Sequence, residues 1–279
     1  MFKVGLSTCG AFWKEETFSE CAANGIEAVE LSPANDLHGI YDVPKAIRLA
    51  GQYGLEVWSY HMPVEPLDVA ENGAADKSVA YLSEVIRRIA ACGITRLVQH
   101  PSWEPIPDEE RPERLRRAQQ SFAALAEVAA ECGVTLCIES MPRTCLARTA
   151  EEMLFLLSAD PRLRTCYDIN HIMREPSVDF IQAVGSRIAT LHVSDCDDIN
   201  ERHWLPGEGI LDWPEILRAL KEVGYTGVWM YEVPFGTPKT ILRPRDLTCA
   251  DFRRNADEVF SGKPVTVIST PKPNVGMWE

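Results

Sequence analysis

Histidine and acidic side chains recur near the points where predicted β-strands end. The set comprises His61, His100, His171, His192, His203, Glu139, Asp168 and Glu232. In a barrel of alternating strands and helices, the carboxyl ends of all strands open onto one face, so these side chains are expected to meet there. Two glutamates, one aspartate and one histidine form a ligand set for a hard or borderline divalent cation, because oxygen-rich sites favour manganese, magnesium or cobalt over a closed thiolate zinc site. The pattern therefore predicts a metal site.

Each of these residues also has a purely structural explanation. A single strand histidine is commonly a hydrogen-bonded core or rim group, and Glu139 or Glu232 could pair with an arginine across the barrel. Asp168 could accept hydrogen bonds in the turn after its strand. These explanations would have to hold at several strand ends at once, which favours the metal site. Glu30, at the end of the second strand, either lines the same pocket or pairs with a basic rim residue.

Short β-branched segments alternate with longer amphipathic ones along the chain. The eight predicted strands are Phe2–Thr8, Ala28–Ser32, Leu55–His61, Arg96–His100, Val134–Ser140, Arg164–Asp168, Ile188–Ser194 and Val228–Val233. A helix is predicted after each strand, which indicates parallel pairing. The pattern predicts the α/β class and a single (β/α)8 TIM barrel over residues 1–260. The alternative is an open doubly wound sheet, but the chain has no glycine-rich phosphate turn after strand one.

Two segments lie outside the simple alternation. The stretch HWLPGEG, residues 203–209, is a loop with two glycines and a proline, and such loops often fold over active sites. It could also be a plain connection to the next helix. The C-terminal tail, residues 261–279, carries apolar residues among prolines and is expected either to pack on the barrel or to be disordered.

Composition restricts the class of partner and the compartment. The chain has 279 residues and a net charge of −13, so it lacks the basic footprint of a duplex-DNA binder, and no nucleic-acid partner is expected. Nine cysteines without a C-x-x-C pair suggest reduced, mostly buried thiols. No signal-peptide core and no bilayer-spanning apolar run is found in the sequence. We therefore expect a cytoplasmic protein without a membrane partner.

The order and spacing of these pieces resemble the xylose-isomerase-like TIM-barrel superfamily, in particular its sugar isomerase/epimerase branch. The resemblance covers about residues 2–260 and rests on the segments CIES, DINH, LHVSD, RHWLPGEGILDW and YEV. It implies one divalent metal ion (manganese, cobalt, magnesium or zinc) held by Glu139, Asp168, His192 and Glu232, with the two glutamates as acid and base. The residues expected to bind substrate are His171, His203, His61, His100, Glu30 and Arg202.

The resemblance leads to one leading hypothesis and two alternatives. The leading hypothesis is a metal-dependent sugar isomerase or epimerase that acts on a ketose, a hydroxyketo acid or a related polyol. The same superfamily contains endonuclease IV, a zinc nuclease of abasic sites, whose ligand pattern this chain approaches, with Glu201-Arg202-His203 where that enzyme has Asp-Arg-His. The third hypothesis is a barrel that binds a ligand without catalysis. The expected partner is a small, polar, sugar-like substrate, and the family together with the apolar tail leaves room for a homo-oligomer.

Overall fold

The computed structural model describes residues 1–11, 13–33, 42–63, 67–197 and 199–272. Over these ranges, eight parallel strands alternate with eight α-helices. The strands are β1 (Val4–Ser7), β2 (Ala28–Leu31), β3 (Glu56–His61), β4 (Arg96–Gln99), β5 (Thr135–Glu139), β6 (Arg164–Asp168), β7 (Ile188–His192) and β8 (Trp229–Tyr231). Each lies within a predicted segment: β6 has the predicted bounds, and the other seven strands are shorter by one or two residues at one or both ends.

The helices cover the outside of the sheet. They are α1 (Glu15–Ala23), α2 (Val43–Gln52), α3 (Ala75–Ala91), α4 (Arg111–Glu131), α5 (Ala150–Leu157), α6 (Ser177–Val184), α7 (Trp213–Glu222) and α8 (Cys249–Ser261). Local chemistry sets several of their starts: the side chains of Asp42, Thr149 and Asp212 accept backbone N–H bonds at the first turns of α2, α5 and α7. Such caps satisfy amide donors that the helix itself leaves unpaired.

Hydrogen bonding closes the sheet into a barrel. The strands pair in the order β7-β6-β5-β4-β3-β2-β1-β8. Between β7 and β8, the Val193 amide donates to the Met230 carbonyl at 2.8 Å, and the Glu232 amide donates to the Val193 carbonyl at 3.1 Å. Because β8 also pairs with β1, the open doubly wound alternative is wrong, and the prediction of a TIM barrel is confirmed.

The core fills both the barrel and the layer between sheet and helices. Large side chains without exposed surface, such as Phe18, Phe122 and Phe180, pack between helices and strands. Inside the barrel, Gly5 faces Val228 and Met230 so closely that a Cβ atom would lie 2.7 Å from the Val228 side chain. Packing at this density fixes the strand ends relative to one another, which is what a site built from them requires.

The tail returns to the barrel where the structure describes it. Two short antiparallel strands, β9 (Ile241–Leu242) and β10 (Thr270–Pro271), pair the loop after β8 with the tail. Val265 and Ile268 are partly buried against the core. The last residues of the predicted tail, 273–279, lie outside the described ranges. No described helix combines the length and apolarity needed to cross a lipid bilayer.

One pair of cysteines departs from the sequence expectation. Cys21 in α1 and Cys249 in α8 form a disulfide across a sequence separation of 228 residues. The prediction that all cysteines are reduced thiols is therefore wrong for this pair. The physical reason is barrel closure, which makes the first and last helices neighbours although they stand at opposite ends of the sequence. The other seven cysteines are free.

Candidate metal centre and cavity

Four side chains converge at the carboxyl ends of neighbouring strands. Glu139 ends β5, Asp168 ends β6, His192 ends β7 and Glu232 follows β8; one ligand atom from each lies within 4.8 Å of the others. We call these residues the strand-end quartet. The Nδ1 atom of His192 is 3.0 Å from Glu139 Oε1, 3.4 Å from Glu232 Oε2 and 3.8 Å from Asp168 Oδ2. Parallel pairing of Asp168 with His192 fixes this convergence.

The quartet fits a divalent cation. Asp168 has no exposed surface, and its Oδ1 accepts the Asn170 amide at 2.8 Å. Its Oδ2 has no hydrogen-bond partner among the residues that the structure describes. A buried carboxylate oxygen without a donor is costly, and three carboxylates around one imidazole add repulsion. Three oxygen donors and one nitrogen donor match a hard or borderline divalent ion.

The carboxyl groups of the quartet do not titrate alike. Burial raises the pKa of Glu232 to about 7, with Glu139 and Asp168 adding to the rise against His192 and His203. Burial acts in the same direction on Glu139, but His192 and His100 outweigh it and hold its pKa well below the usual range. Environments that push neighbouring carboxyl pKa values apart are typical of acid–base sites.

Glu30 lies behind the quartet. It has no exposed surface; its Oε1 is 2.9 Å from His192 Nε2, and its Oε2 accepts the Ser59 hydroxyl at 2.7 Å. The Glu30 carboxylate and the His192 ring thus form a buried ion pair. Glu30 does not line the cavity in this structure, and its expected contact with substrate stays a prediction. Carboxylates behind a histidine ligand commonly orient the ring and raise its basicity.

A second cluster shares Glu139 with the quartet. His61 Nε2 and His100 Nε2 lie 2.9 and 3.1 Å from Glu139 Oε2. The other ring nitrogen of His61 faces the Met62 carbonyl at 2.9 Å. Both nitrogens of His61 thus face acceptors, which requires a doubly protonated ring or a cation between the ring and the carboxylate. Burial opposes a charge on His61, but Glu139 and Glu30 outweigh it and raise its pKa to about 9.

A third cluster joins His171, Glu201 and His203. His171 Nε2 is 2.8 Å from Glu201 Oε2, and its Nδ1 is 2.9 Å from the Ser140 carbonyl. Burial disfavours the charged ring, but Asp168 and Glu201 outweigh it and raise the pKa of His171 to about 10. His203 Nδ1 is 3.0 Å from the Glu232 carbonyl.

Two of the residues around this third cluster were missed as site residues by sequence reasoning. Glu201 was noted only as part of the Glu-Arg-His run, and Arg143, whose guanidinium bonds Glu201 and Glu104, was not singled out. Both lie in loops, where no strand periodicity marks a position. The only feature of the sequence that pointed to these two residues was that each lies in a charged loop segment.

A cavity of about 950 Å³ opens above these clusters. Seven of the ten predicted site residues line it: His61, His100, Glu139, His171, Arg202, His203 and Glu232. Asp168, His192 and Glu30 have no exposed surface and lie below. Arg202 donates from Nε to Asp197 at 2.7 Å, and Trp103, parallel to the His100 ring, adds an apolar wall. The cavity therefore combines an acidic, histidine-rich floor with partly apolar sides.

Comparisons with known proteins agree with this architecture. A family model described as Xylose isomerase-like TIM barrel matches residues 18–248. D-psicose 3-epimerase of Ruminiclostridium cellulolyticum is 33% identical over 148 residues, which are 51% of this chain and 48% of that protein. Fructoselysine 3-epimerase of Escherichia coli O157:H7 is 27% identical over 123 residues, 42% of this chain and 45% of that protein. The chain thus matches about half the length of these curated relatives.

A solved structure extends the comparison to almost the whole chain. A crystal structure of a D-tagatose 3-epimerase-like protein aligns with a TM-score of 0.78 and 21% identity, over 93% of this chain and 97% of that chain. At this identity the likeness shows a common fold.

Proposed function

The chain belongs to the xylose isomerase-like TIM-barrel family, and on that premise we propose that it is a metal-dependent isomerase or epimerase of a ketose, a hydroxyketo acid or a related polyol. The observation that carries the proposal is the strand-end quartet, in which Asp168 Oδ2 has no hydrogen-bond partner among the described residues. Two curated relatives are named as 3-epimerases of D-psicose and of fructoselysine. Epimerisation at the carbon next to the ketone is therefore the first reaction to test.

The residues divide the work as follows. Glu139, Asp168, His192 and Glu232 hold one divalent ion (manganese, cobalt, magnesium or zinc). When bound, the ion supplies Lewis-acid stabilisation of the negative charge that develops on the ketone oxygen. Glu139 and Glu232 carry the proton: one carboxylate removes it from the carbon next to the ketone, and the other, protonated, returns one to the opposite face. Proton number is thereby conserved, and the stereocentre is inverted.

The cavity walls orient the substrate. His171, His203, His61, His100 and Arg202 line the cavity, and a few polar groups in a partly apolar lining suit a sugar-like molecule. Glu30 acts from behind, through His192. The apolar walls exclude water from the reacting carbon, which protects the carbanionic charge from the solvent.

Solvent exchange tests the proposal directly. Metal-loaded protein in deuterium oxide is incubated with a panel of ketoses, and incorporation of deuterium at the carbon next to the ketone is followed by NMR. Glu139→Gln and Glu232→Gln should each lower the exchange rate by about 10²–10⁴-fold, because each removes a proton carrier. The matched control is Glu131→Gln, an exposed glutamate at the end of α4. If both cavity variants exchange a turned-over ketose at the wild-type rate, the mechanism is contradicted.

A second candidate function has one specific observation in its favour. The quartet, the His61–His100–Glu139 cluster and the His171–Glu201–His203 cluster are adjacent groups of candidate ligands, as an endonuclease IV-like site with several zinc ions would need. The net charge of −13 opposes DNA binding. Elemental mass spectrometry of untagged protein separates the candidates: about one ion per chain supports the isomerase or epimerase. Two or three zinc ions, together with chelator-sensitive cleavage of an abasic duplex, support the nuclease.

A further inference from the structure

The loop between β7 and α7 carries three of the cavity residues. Glu201, Arg202 and His203 all lie in this loop, which the structure describes over residues 193–197 and 199–212. His203 has a φ of 50°, a left-handed backbone conformation that is uncommon for residues other than glycine. Such a conformation persists only where the surroundings determine it. The question is which contacts hold this loop against the barrel.

Asp195 pairs with the backbone next to His203. Its amide donates to the Trp204 carbonyl at 2.7 Å, and the Trp204 amide donates back to the Asp195 carbonyl at 3.1 Å. The loop therefore returns to its own first residues immediately after His203. This pairing fixes the backbone next to His203, but it does not restrain the residues that follow Trp204.

The Asp195 carboxylate holds the second half of the loop. Its Oδ1 accepts the amides of Cys196 at 2.9 Å and Leu211 at 3.2 Å. Its Oδ2 accepts the amide of Gly207 and the indole N–H of Trp213, both at 2.8 Å. Asp195 has no exposed surface, so these four donors replace water entirely.

Glycine at position 209 belongs to the same arrangement. A Cβ atom on Gly209 would lie 2.1 Å from the Cys196 carbonyl oxygen and 2.3 Å from Asp195 Oδ1. The loop thus closes around the carboxylate with no room for a side chain. The backbone amides of Gly207 and Leu211 and the indole of Trp213 thus converge on one carboxylate.

We propose that Asp195 is a positioning residue, which holds the β7–α7 loop so that Glu201, Arg202 and His203 face the cavity. It acts through the loop: it does not line the cavity and is not part of the quartet. The expected effect on turnover rests on the proposed function, whereas the effect on the loop does not.

Asp195→Asn is the direct test. In either orientation of the amide group, its NH2 faces two N–H donors that now lack an acceptor, so two hydrogen bonds to a charged group are lost. Amide exchange in peptides covering residues 203–212, followed by mass spectrometry, should become at least about tenfold faster. Turnover in the ketose exchange assay should fall about tenfold or more, because the loop residues that face the cavity lose their position. The Kd for Mn²⁺ should stay within about threefold of wild type, because no member of the quartet lies in this loop.

The matched control is Asp160→Asn. Asp160 is also buried, at 8% exposure, and its carboxylate accepts the Arg162 amide at 2.7 Å and Nε at 2.8 Å, before the start of β6. This variant should leave exchange in residues 203–212, turnover and Mn²⁺ affinity at wild-type values. If Asp195→Asn does not fold, Trp213→Phe removes one of the four donors and keeps the carboxylate; it should accelerate the same peptides about threefold.

Three outcomes overturn the proposal. The first is unchanged exchange in residues 203–212 in both Asp195→Asn and Trp213→Phe. The second is a loss of Mn²⁺ affinity that parallels the loss of turnover, which would place the role of Asp195 at the quartet. The third is faster exchange in the loop with turnover unchanged. If wild-type protein turns over no ketose, the proposed function fails, and the exchange and Mn²⁺ measurements still decide whether Asp195 holds the loop.

Discussion

Two aspartates of this barrel are equally buried and differ in what surrounds them. Asp168 and Asp195 both have no exposed surface. Four N–H groups bond the Asp195 carboxylate, whereas among described residues one oxygen of Asp168 has no hydrogen-bond partner and faces His171 at 3.4 Å. A carboxylate with all its acceptors used stabilises backbone. A carboxylate that keeps one oxygen without a donor can use that oxygen to bind a cation.

Metal affinity should separate the two aspartates most strongly. Asp168→Asn removes a charged ligand and should weaken Mn²⁺ binding by at least about 100-fold, since loss of groups that only support a ligand already costs about 10–100-fold. Asp195→Asn should change the Kd by no more than about threefold. Isothermal titration calorimetry on chelator-treated protein gives both values. Equal losses in the two variants would remove the distinction between the two regions.

In metal-free protein, the free energy of unfolding should depend more on Asp195 than on Asp168. Asp195→Asn leaves buried donors unpaired and should lower the free energy of unfolding by about 2–3 kcal/mol. Asp168→Asn relieves a buried, poorly compensated charge, so its free energy of unfolding should stay within about 1 kcal/mol of wild type or rise. Urea denaturation in the presence of chelator measures both. A larger loss in Asp168→Asn would mean that the quartet, rather than the loop, is the structural region.

The pH dependence of stability should sharpen the comparison further. In metal-free protein the pKa values of His61 and His171 are raised to about 9 and about 10 by their carboxylate neighbours, above the ordinary value of 6.5. A histidine whose folded pKa is raised contributes stability that is full below pH 6.5 and is lost as the pH rises through the folded value. The thermal midpoint in chelator should therefore fall by at least about 2–4 °C between pH 6.5 and 10.

Variants test whether the histidine clusters cause this fall of the thermal midpoint at alkaline pH. His171→Asn should make the profile less steep over the same pH interval, because its unprotonatable side chain no longer links stability to pH whereas His61 still does. Saturating metal should flatten it as well, since a cation takes the place of the protons. Asp195→Asn should keep the wild-type slope at a lower midpoint. If the thermal midpoint of chelator-treated wild type does not change with pH, the pKa values of these histidines are not raised in the folded state.

Sequence periodicity was sufficient for the fold and for the strand-end residues. Strand lengths and the alternation with helices predicted all eight units, and residues that end strands, such as Glu139, Asp168 and His192, follow from that register. Contacts made between loops did not follow. Glu201 meets Arg143 at a separation of 58 residues. Three of the four donors to Asp195 come from a coil without a repeating pattern, and the fourth is the side chain of Trp213, the first residue of α7. Glu30 was placed on the right strand, but its burial behind His192 was not predicted, because periodicity gives the face of a strand and not the depth of a side chain beneath its neighbours.

The disulfide between Cys21 and Cys249 changes the covalent connectivity of the molecule. Because the bond joins the first helix to the last, the chain between them forms a covalent ring that runs once around the barrel, with two short ends outside it. A single proteolytic cut within residues 22–248 would open the ring without releasing a fragment, and under denaturing conditions the two pieces would separate only after a reductant is added. The barrel is thus closed twice, once by the hydrogen bonds of its strands and once by its covalent connectivity.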